Sequence, residues 1–390
     1  MNLSEAPITI TLVAGEASGD QLGAALINAI RVQNPNIRFT GIGGPLMEAA
    51  GMECWWSTDQ LSVMGLFEVA QHIPRLLALR KQLVQRVIDL KPAVFIGIDA
   101  PDFNLGVEKR LKARAIPVIH YVSPTVWAWR PGRVKTIAKA TERVLCLFPF
   151  EPAYYLQQPV EADYTGHPLA DEIPLEVDSL AAREVLGIGT VQRCIALLPG
   201  SRLGEVEKLA TPMFEAAARL SRRFQNLCFV VPAATQLIGN YLESQLEQFP
   251  GLNCRIFEGR GKEVISAADV VICASGTATL EVMLINRPMV VCYRLAATTY
   301  AMVKWFRLVK SRFFSLPNIL ASEELVPELL QQEVNGERIA NEVSNWLEYP
   351  ERCSELKHRF DLLHRQLMTG AAATAATAVL HHIAPGSEQT

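Results

Sequence analysis

Ile195–Lys208, IALLPGSRLGEVEK, combines an apolar run, a glycine turn and an acid-loaded helix start. The apolar residues Ile195 to Leu198 predict a short buried strand. Pro199 and Gly200 end it. Ser201 is placed to cap a helix whose first turns carry Glu205 and Glu207. A strand, tight turn and helix in that order aim backbone N–H groups and a positive helix end at one point, which suits a phosphate. Arg202, at the mouth of the turn, can fork onto two phosphate oxygens. Taken alone, the stretch fits an ordinary turn with a solvated arginine at least as well.

Other stretches repeat the pattern. The strand Val270 to Cys273 runs into Ser275-Gly276-Thr277 at another predicted helix start, where small residues let a ligand approach the backbone. Glu281 lies one turn further in, where a carboxylate can accept both hydroxyls of a ribose. At the start of the chain, Ile8–Ala14 predicts a strand that enters Gly15-Glu16-Ala17-Ser18-Gly19-Asp20 and then a helix to about Val32. Gly15 and Ser18 are one residue too far apart for a nucleophile elbow. Ser18 is therefore read as a cap or, with Gly19, a ligand contact. FTGIGGPLM, residues 39–47, lacks the third glycine of a dinucleotide fingerprint, which argues against a nicotinamide site. Asp99 closes the apolar strand Ala93–Ile98, and strand carboxyl ends carry the chemistry of open α/β sheets. It is the first candidate for a general base, with Glu16 as the alternative; Asp102 and Asp20 read better as caps. SPTVWAWR, residues 123–130, places two tryptophans beside an arginine after a strand, as a ligand-facing loop or an interface plug. His167 fits a packed hinge position better than a catalytic one.

The elements that must position these residues alternate strand and helix along the whole chain. The 390 residues argue for about two domains, and 49% hydrophobic content gives each a full core. Tyr164-Thr165-Gly166-His167-Pro168 reads as the linker. The expected fold is α/β, with two Rossmann-like doubly wound domains facing a cleft. Residues 1–168 form the first domain and 169–350 form the second. Helices in 351–383 are free to pack back on the first. A net charge of −3 gives no basic field for nucleic acid. The eight cysteines form no Cys-x-x-Cys pair, and Cys194, Cys273 and Cys292 sit in apolar runs as small buried hydrophobes. No metal or cofactor site is read. No apolar run spans a bilayer and the start lacks a secretory signal, so a cytoplasmic protein is expected.

Residues 61–91 suggest a membrane contact. Val63, Met64, Leu66, Phe67 and Val69 form an apolar run without clear helical period, and a helix bearing Arg75, Arg80, Lys81 and Arg86 comes after it. A patch dipping into a membrane or an acyl chain fits the run; a core-facing helix with a basic solvent side fits the residues from Ile73 onward. From Val282 to Ser322 six Lys or Arg interleave with aromatics and no acid appears, which suits anionic lipid or a packed helix whose cations face water.

Read together, Gly15–Asp20, VMGLFEV, IDAPDFN, SPTVWAWR, GHP, LPGSR, ASGTATLE and LPNIL occur in an order that resembles the lipid-A-disaccharide synthase family. The resemblance implies an inverting GT-B glycosyltransferase. It would join UDP-2,3-diacylglucosamine to 2,3-diacylglucosamine 1-phosphate through a β(1→6) bond, release UDP and need no cofactor. It adds Asn318 of LPNIL to the site, with a sugar, phosphate or turn-capping role left open. It also implies peripheral attachment to the inner face of the cytoplasmic membrane. Gln71, His72 and Pro74 depart from the leucine- and arginine-rich stretch usual there and bear on how firmly the protein attaches. A homodimer stays open. The alternatives are a UDP-sugar 2-epimerase, another GT-B glycosyltransferase, or a non-catalytic nucleotide-sugar sensor. The epimerase leaves the apolar run unexplained, and the sensor leaves Asp99 and Glu16 unexplained.

Overall fold

The computed structural model describes residues 8–61, 66–126, 132–295 and 312–383, with residues 66–73 described as backbone only. The chain forms two compact units, Met1–Asp171 with Leu367–Thr390, and Glu172–Gln366.

The first unit is built on seven strands: β1 (Thr9–Ala14), β2 (Arg38–Gly43), β3 (Glu53–Ser57), β4 (Val94–Ile98), β5 (Val118–Tyr121), β6 (Arg143–Cys146) and β7 (Glu161–Tyr164). Their order is β3-β2-β1-β4-β5-β6-β7, and every pairing is parallel. Parallel neighbours need crossover connections, which helices such as Ala17–Gln33 and Pro101–Lys112 supply. Helices cover both faces, so the central strands are apolar throughout: all five residues of β4 are buried. Sequence order reverses between β1 and β4, whose ends are level, with Ala14 opposite Ile98. In such sheets ligands bind at that reversal, beyond the carboxyl ends of the strands. The helix Ala371–Ile383 belongs to this unit, where Gln33 donates to the Ala373 carbonyl at 3.3 Å. The helix Pro350–Leu367 falls almost wholly in the second unit.

The backbone from Leu66 to Leu90 is one helix that continues through Pro74. The expected non-helical apolar run therefore extends no further than residue 65. A proline removes one backbone bond and crowds the preceding turn, and a 25-residue helix packed on the sheet absorbs that. Two of its cations are not simply solvated. Arg80 stacks 5.1 Å from the Phe103 ring centroid and donates to the Asp102 carbonyl, while Arg86 lies 4.3 Å from Trp55. Among the described residues no helix is long and apolar enough to cross a membrane.

The second unit repeats the design with β8 (Arg193–Leu198), β9 (Leu227–Ala233), β10 (Cys254–Glu258), β11 (Val270–Ala274), β12 (Met289–Tyr293) and β13 (Glu328–Leu330), in the order β10-β9-β8-β11-β12-β13. These pairings are parallel too, and the order reverses between β8 and β11, with Leu198 opposite Cys273. The α/β class with two doubly wound sheets is the one expected from the sequence.

Candidate active site

Each reversal point carries two of the loops singled out by their chemistry. In the first unit these come after β1 and β4. A Cβ on Gly15 would stand 2.5 Å from the Ala100 Cβ, so the two turns meet only because residue 15 has no side chain. Glu16 is exposed and opens the helix Ala17–Gln33 without a side-chain cap. Ser18 lies inside that helix and is exposed, so its expected capping role is not found. Gly19 is buried and lets the helix close on Ala14 and Ile98. Asp20 is spent on structure, since its carboxylate accepts N–H bonds from Gly44, Leu46 and Met47 at 2.7 to 3.0 Å.

Asp99 is half-buried at the end of β4. It and Ala100 both take left-handed backbone, with φ of 48° and 41°. Such strain in non-glycine residues persists only where surrounding bonds enforce it. Here the Asp99 N–H donates to the Tyr121 carbonyl at 2.8 Å, and the Asn104 amide donates to the Asp99 carbonyl at 2.9 Å. Asn104 is fully buried and also reaches the Val13 and Ile98 carbonyls, tying the β1 and β4 ends together. Asp102, expected as a cap, makes no capping bond; it lies in the first helical turn and pairs with Arg133. Beside it opens a cavity of about 630 Å³ lined by Pro101, Asp102, Leu105, Gly106, Arg133 and Thr136.

In the second unit the loops come after β8 and β11. Gly200 has a φ of 125°, a conformation that excludes side chains, and a Cβ there would meet Glu205 Oε2 at 2.7 Å. The helix Leu203–Arg223 starts one residue later than expected. Arg202, not Ser201, is its extended N-cap residue, and the Arg202 side chain makes no capping bond. The Glu205 N–H of the first turn donates to the Arg202 carbonyl at 2.9 Å, so the Leu203 and Gly204 N–H groups are the ones an anion could use. The Arg202 side chain is 81% exposed, and among the described residues it pairs with Glu205 Oε1 at 3.6 Å. Across the reversal, Ser275 is pinned: its N–H donates to Cys292 and its hydroxyl to Phe314, both at 3.0 Å. Gly276 and Thr277 are exposed at the start of the helix Thr277–Leu284. Glu281 is half-buried, and burial lifts its carboxyl pKa against the pull of Lys262.

Asn318 is fully buried, and the protein uses its whole hydrogen-bonding capacity. Its Nδ2 donates to the Val326 carbonyl and Glu328 Oε1, both at 2.9 Å, and its Oδ1 accepts from Leu325 and Val326 N–H. A side-chain amide has two donor hydrogens and two lone pairs, and all four are taken. Of the roles left open for Asn318, holding a turn is the one this geometry fits. Glu328 also accepts from Phe314 N–H and Ser315 N–H, while Thr279 Oγ1 accepts from Leu316 N–H at 3.3 Å. These bonds fasten the LPNIL segment beside the Ser275 loop.

His167 packs its ring 5.5 Å from Phe148, and its Nδ1 accepts the Leu169 N–H at 3.2 Å. Burial pushes its pKa down to about 4, with Asp171 opposing. The depressed value means that the unfolded chain takes up this proton first. Its contribution should lower stability as pH falls from 6.5 towards 4, and be absent above that window. His167→Gln should flatten this part of a denaturant-midpoint-against-pH curve, by at most about 3 kcal/mol. An unchanged slope would show that the histidine does not titrate there.

Val63, Met64, Trp127, Trp129 and Arg130 lie outside the described residues, as do 296–311 of the second basic stretch; Leu66, Phe67 and Val69 are described only as backbone. Residues not anticipated from sequence include Glu108 and His120, which are fully buried and 2.6 Å apart. Two signals pointed to them. A lone histidine interrupts the apolar strand PVIHYV, and Glu108 lies four residues after Asn104, on the same helix face.

The family profile described as lipid-A-disaccharide synthetase matches residues 10–380. A lipid-A-disaccharide synthase of Xanthomonas campestris is 48% identical over 372 residues, covering 95% of this chain and 85% of the relative. One from Alcanivorax borkumensis is 46% identical over 375 residues, covering 96% and 97%. Among solved structures, a UDP-GlcNAc 2-epimerase from Neisseria meningitidis bound to UDP-GlcNAc superposes with a TM-score of 0.64 at 13% identity, covering 96% of this chain and all of that one. Acinetobacter baumannii MurG gives 0.58 at 14% identity, with the same coverage. At such identities the structures speak for the fold alone, which is of the GT-B type. The sequence relatives say more: matched at nearly half of all positions and over almost its full length, the chain belongs to the lipid-A-disaccharide synthetase family.

Proposed function

We propose that the chain transfers 2,3-diacylglucosamine from UDP-2,3-diacylglucosamine to the 6-hydroxyl of 2,3-diacylglucosamine 1-phosphate, with inversion. The products are UDP and the β(1→6) disaccharide. The observation that carries this reading is the placement of both sets of loops at the order reversals of their sheets. One set holds carboxylates suited to proton transfer; the other holds helix starts suited to a diphosphate.

Asp99 accepts the acceptor's hydroxyl proton as that oxygen attacks the anomeric carbon. The bond from that carbon to the UDP oxygen breaks on the opposite face. Charge on the leaving diphosphate falls on the backbone N–H groups after Gly200 and Gly276 and on Arg202. Ser201, Ser275 and Thr277 line the same turns, and Glu281 holds the ribose. Glu16, with Ser18 and Gly19 behind it, shapes the acceptor side. The cavity beside Arg133 suits the acceptor's phosphate end. Incubating the pure protein with both lipids should release one UDP per disaccharide formed. No UDP, or UDP at the same rate without acceptor, would overturn the assignment. Conversion of UDP-GlcNAc to its 2-epimer would favour the epimerase reading instead.

Both substrates carry acyl chains, so we place the enzyme at the inner face of the cytoplasmic membrane, attached peripherally through the segment around Val63, Met64, Leu66, Phe67 and Val69. Arg75 and Lys81, further along the same helix as Leu66, are exposed and suit anionic headgroups. Replacing Val63, Leu66 and Phe67 together by serine should weaken binding to anionic vesicles roughly tenfold or more. It should raise KM for the lipids while sparing a short-chain, water-soluble acceptor. Unfolding of this variant would show that the segment is core.

A further inference from the structure

We propose that Glu108 and His120 form a buried positioning pair that sets the Asp99 turn, a role resting on the reading of Asp99 as the base. The pair touches no substrate, and none of the four strand-end loops includes it. Glu108 Oε1 and His120 Nδ1 share one hydrogen bond of 2.6 Å with neither side chain exposed. Their other polar atoms, Glu108 Oε2 and His120 Nε2, have no hydrogen-bond partner among the described residues, and neither does Asn104 Oδ1. Three orphaned polar atoms in one buried place are costly, and apolar side chains would fill the same space without that cost.

Their position suggests what the cost supports. His120 lies in β5 opposite Gly97 of β4. Glu108 Oε1 occupies the place where a Gly97 Cβ would be, and Asn104 packs beside it. The pair therefore sits directly under the last residues of β4, two positions before Asp99. Asn104, one helical turn before Glu108, holds the Asp99 carbonyl, and Tyr121, next to His120, holds the Asp99 N–H. The strained turn is thus clamped by the residues that flank the pair.

The electrostatics agree. Burial disfavours charge on both groups and lifts the Glu108 carboxyl. The same burial pulls the His120 imidazole down, and the Glu108 carboxylate overrides it and holds the imidazole above its ordinary value. The other charged groups felt by His120 are Asp99, from the β4 turn, and Arg133, from the helix Arg133–Ala140; Arg133 is itself paired with Asp102.

The decisive variant is the double replacement Glu108→Leu with His120→Leu. Removing both partners of a buried pair in favour of apolar groups leaves no stranded charge, so the fold and UDP affinity should hold. We expect kcat to fall about tenfold and kcat/KM to fall with it at unchanged KM, as the Asp99 turn loses its support. A merely structural pair would leave both unchanged, and that result overturns the proposal. If the double variant does not fold, Glu108→Gln decides, since it keeps the shape and the bond to Nδ1 but removes the charge. A lower kcat at the parent's KM supports the pair's role, and a parent-like kcat overturns it. Asp99→Asn separates the two readings. Near-normal kcat there removes Asp99 as base, and this role with it. A collapse there beside parent-like pair variants overturns the pair alone.

Discussion

Asp99→Asn is expected to lower kcat by roughly 10²-fold or more and to leave UDP affinity within about twofold of the parent. A sugar hydroxyl is a poor nucleophile until its proton is accepted, and the accepting group must come within about 2.6–3.2 Å of it. Asparagine keeps the shape of the side chain and its ability to hydrogen bond, so the variant removes basicity and little else. The turn should survive, because its bonds run through the Asp99 backbone to Tyr121 and Asn104 and not through the carboxylate. UDP affinity should hold because the nucleotide is assigned to the other unit. Asp20 is a poor competitor in physical terms: it is 3% exposed and accepts three N–H bonds. Glu16 is the remaining rival, exposed and without a capping bond. Near-normal kcat for Asp99→Asn beside a collapse for Glu16→Gln would move the base to the first loop.

The central strands were legible because burial on both faces of a parallel sheet writes them as unbroken apolar runs, as in Val94–Ile98 and Val270–Ala274. The edge strands were not. Glu53–Ser57 and Glu161–Tyr164 border their sheet, mix charge with aromatics and lie partly exposed, so neither alternation nor an apolar run marks them. The start of the helix at Leu66 escaped although Glu68, Gln71, His72 and Arg75 fall at helical spacing, because the adjoining Val63–Phe67 has no polar residue to set a period. Caps were read from residue type, but tertiary contacts decide them. Ser18 and Ser201 are passed over, and Asp20 serves a helix 24 residues further on. The loops at the β1, β4, β8 and β11 ends could be read because their glycines and polar residues interrupt apolar runs. What could not be read is satisfaction. Nothing in LPNIL says that the Asn318 amide is fully occupied, and nothing in PVIHYV says that His120 meets Glu108.

Arg202→Ala is expected to lower kcat/KM on the order of 10²-fold without unfolding the protein. The side chain is 81% exposed, and its one ion pair among the described residues is Glu205 at 3.6 Å, a contact typical of pairs that add little stability. Removing it should therefore shift the melting temperature by no more than about 2 °C. The catalytic cost has two parts. A guanidinium bonded to a diphosphate contributes about 1.5–3 kcal/mol as a charged hydrogen bond, and this appears in donor binding. A further part appears only as the bond to UDP breaks and negative charge grows on the leaving oxygen, which lowers kcat. Glu205 holds the arginine only through this weak exposed contact, so Glu205→Gln should have a much smaller effect than Arg202→Ala. Arg202→Lys is the informative intermediate, since it restores charge without the planar fork. It should recover part of the donor binding but little of kcat if two diphosphate oxygens are held at once. Parent-like kinetics in Arg202→Ala would remove the phosphate from the β8 turn and leave the β11 turn as its only site.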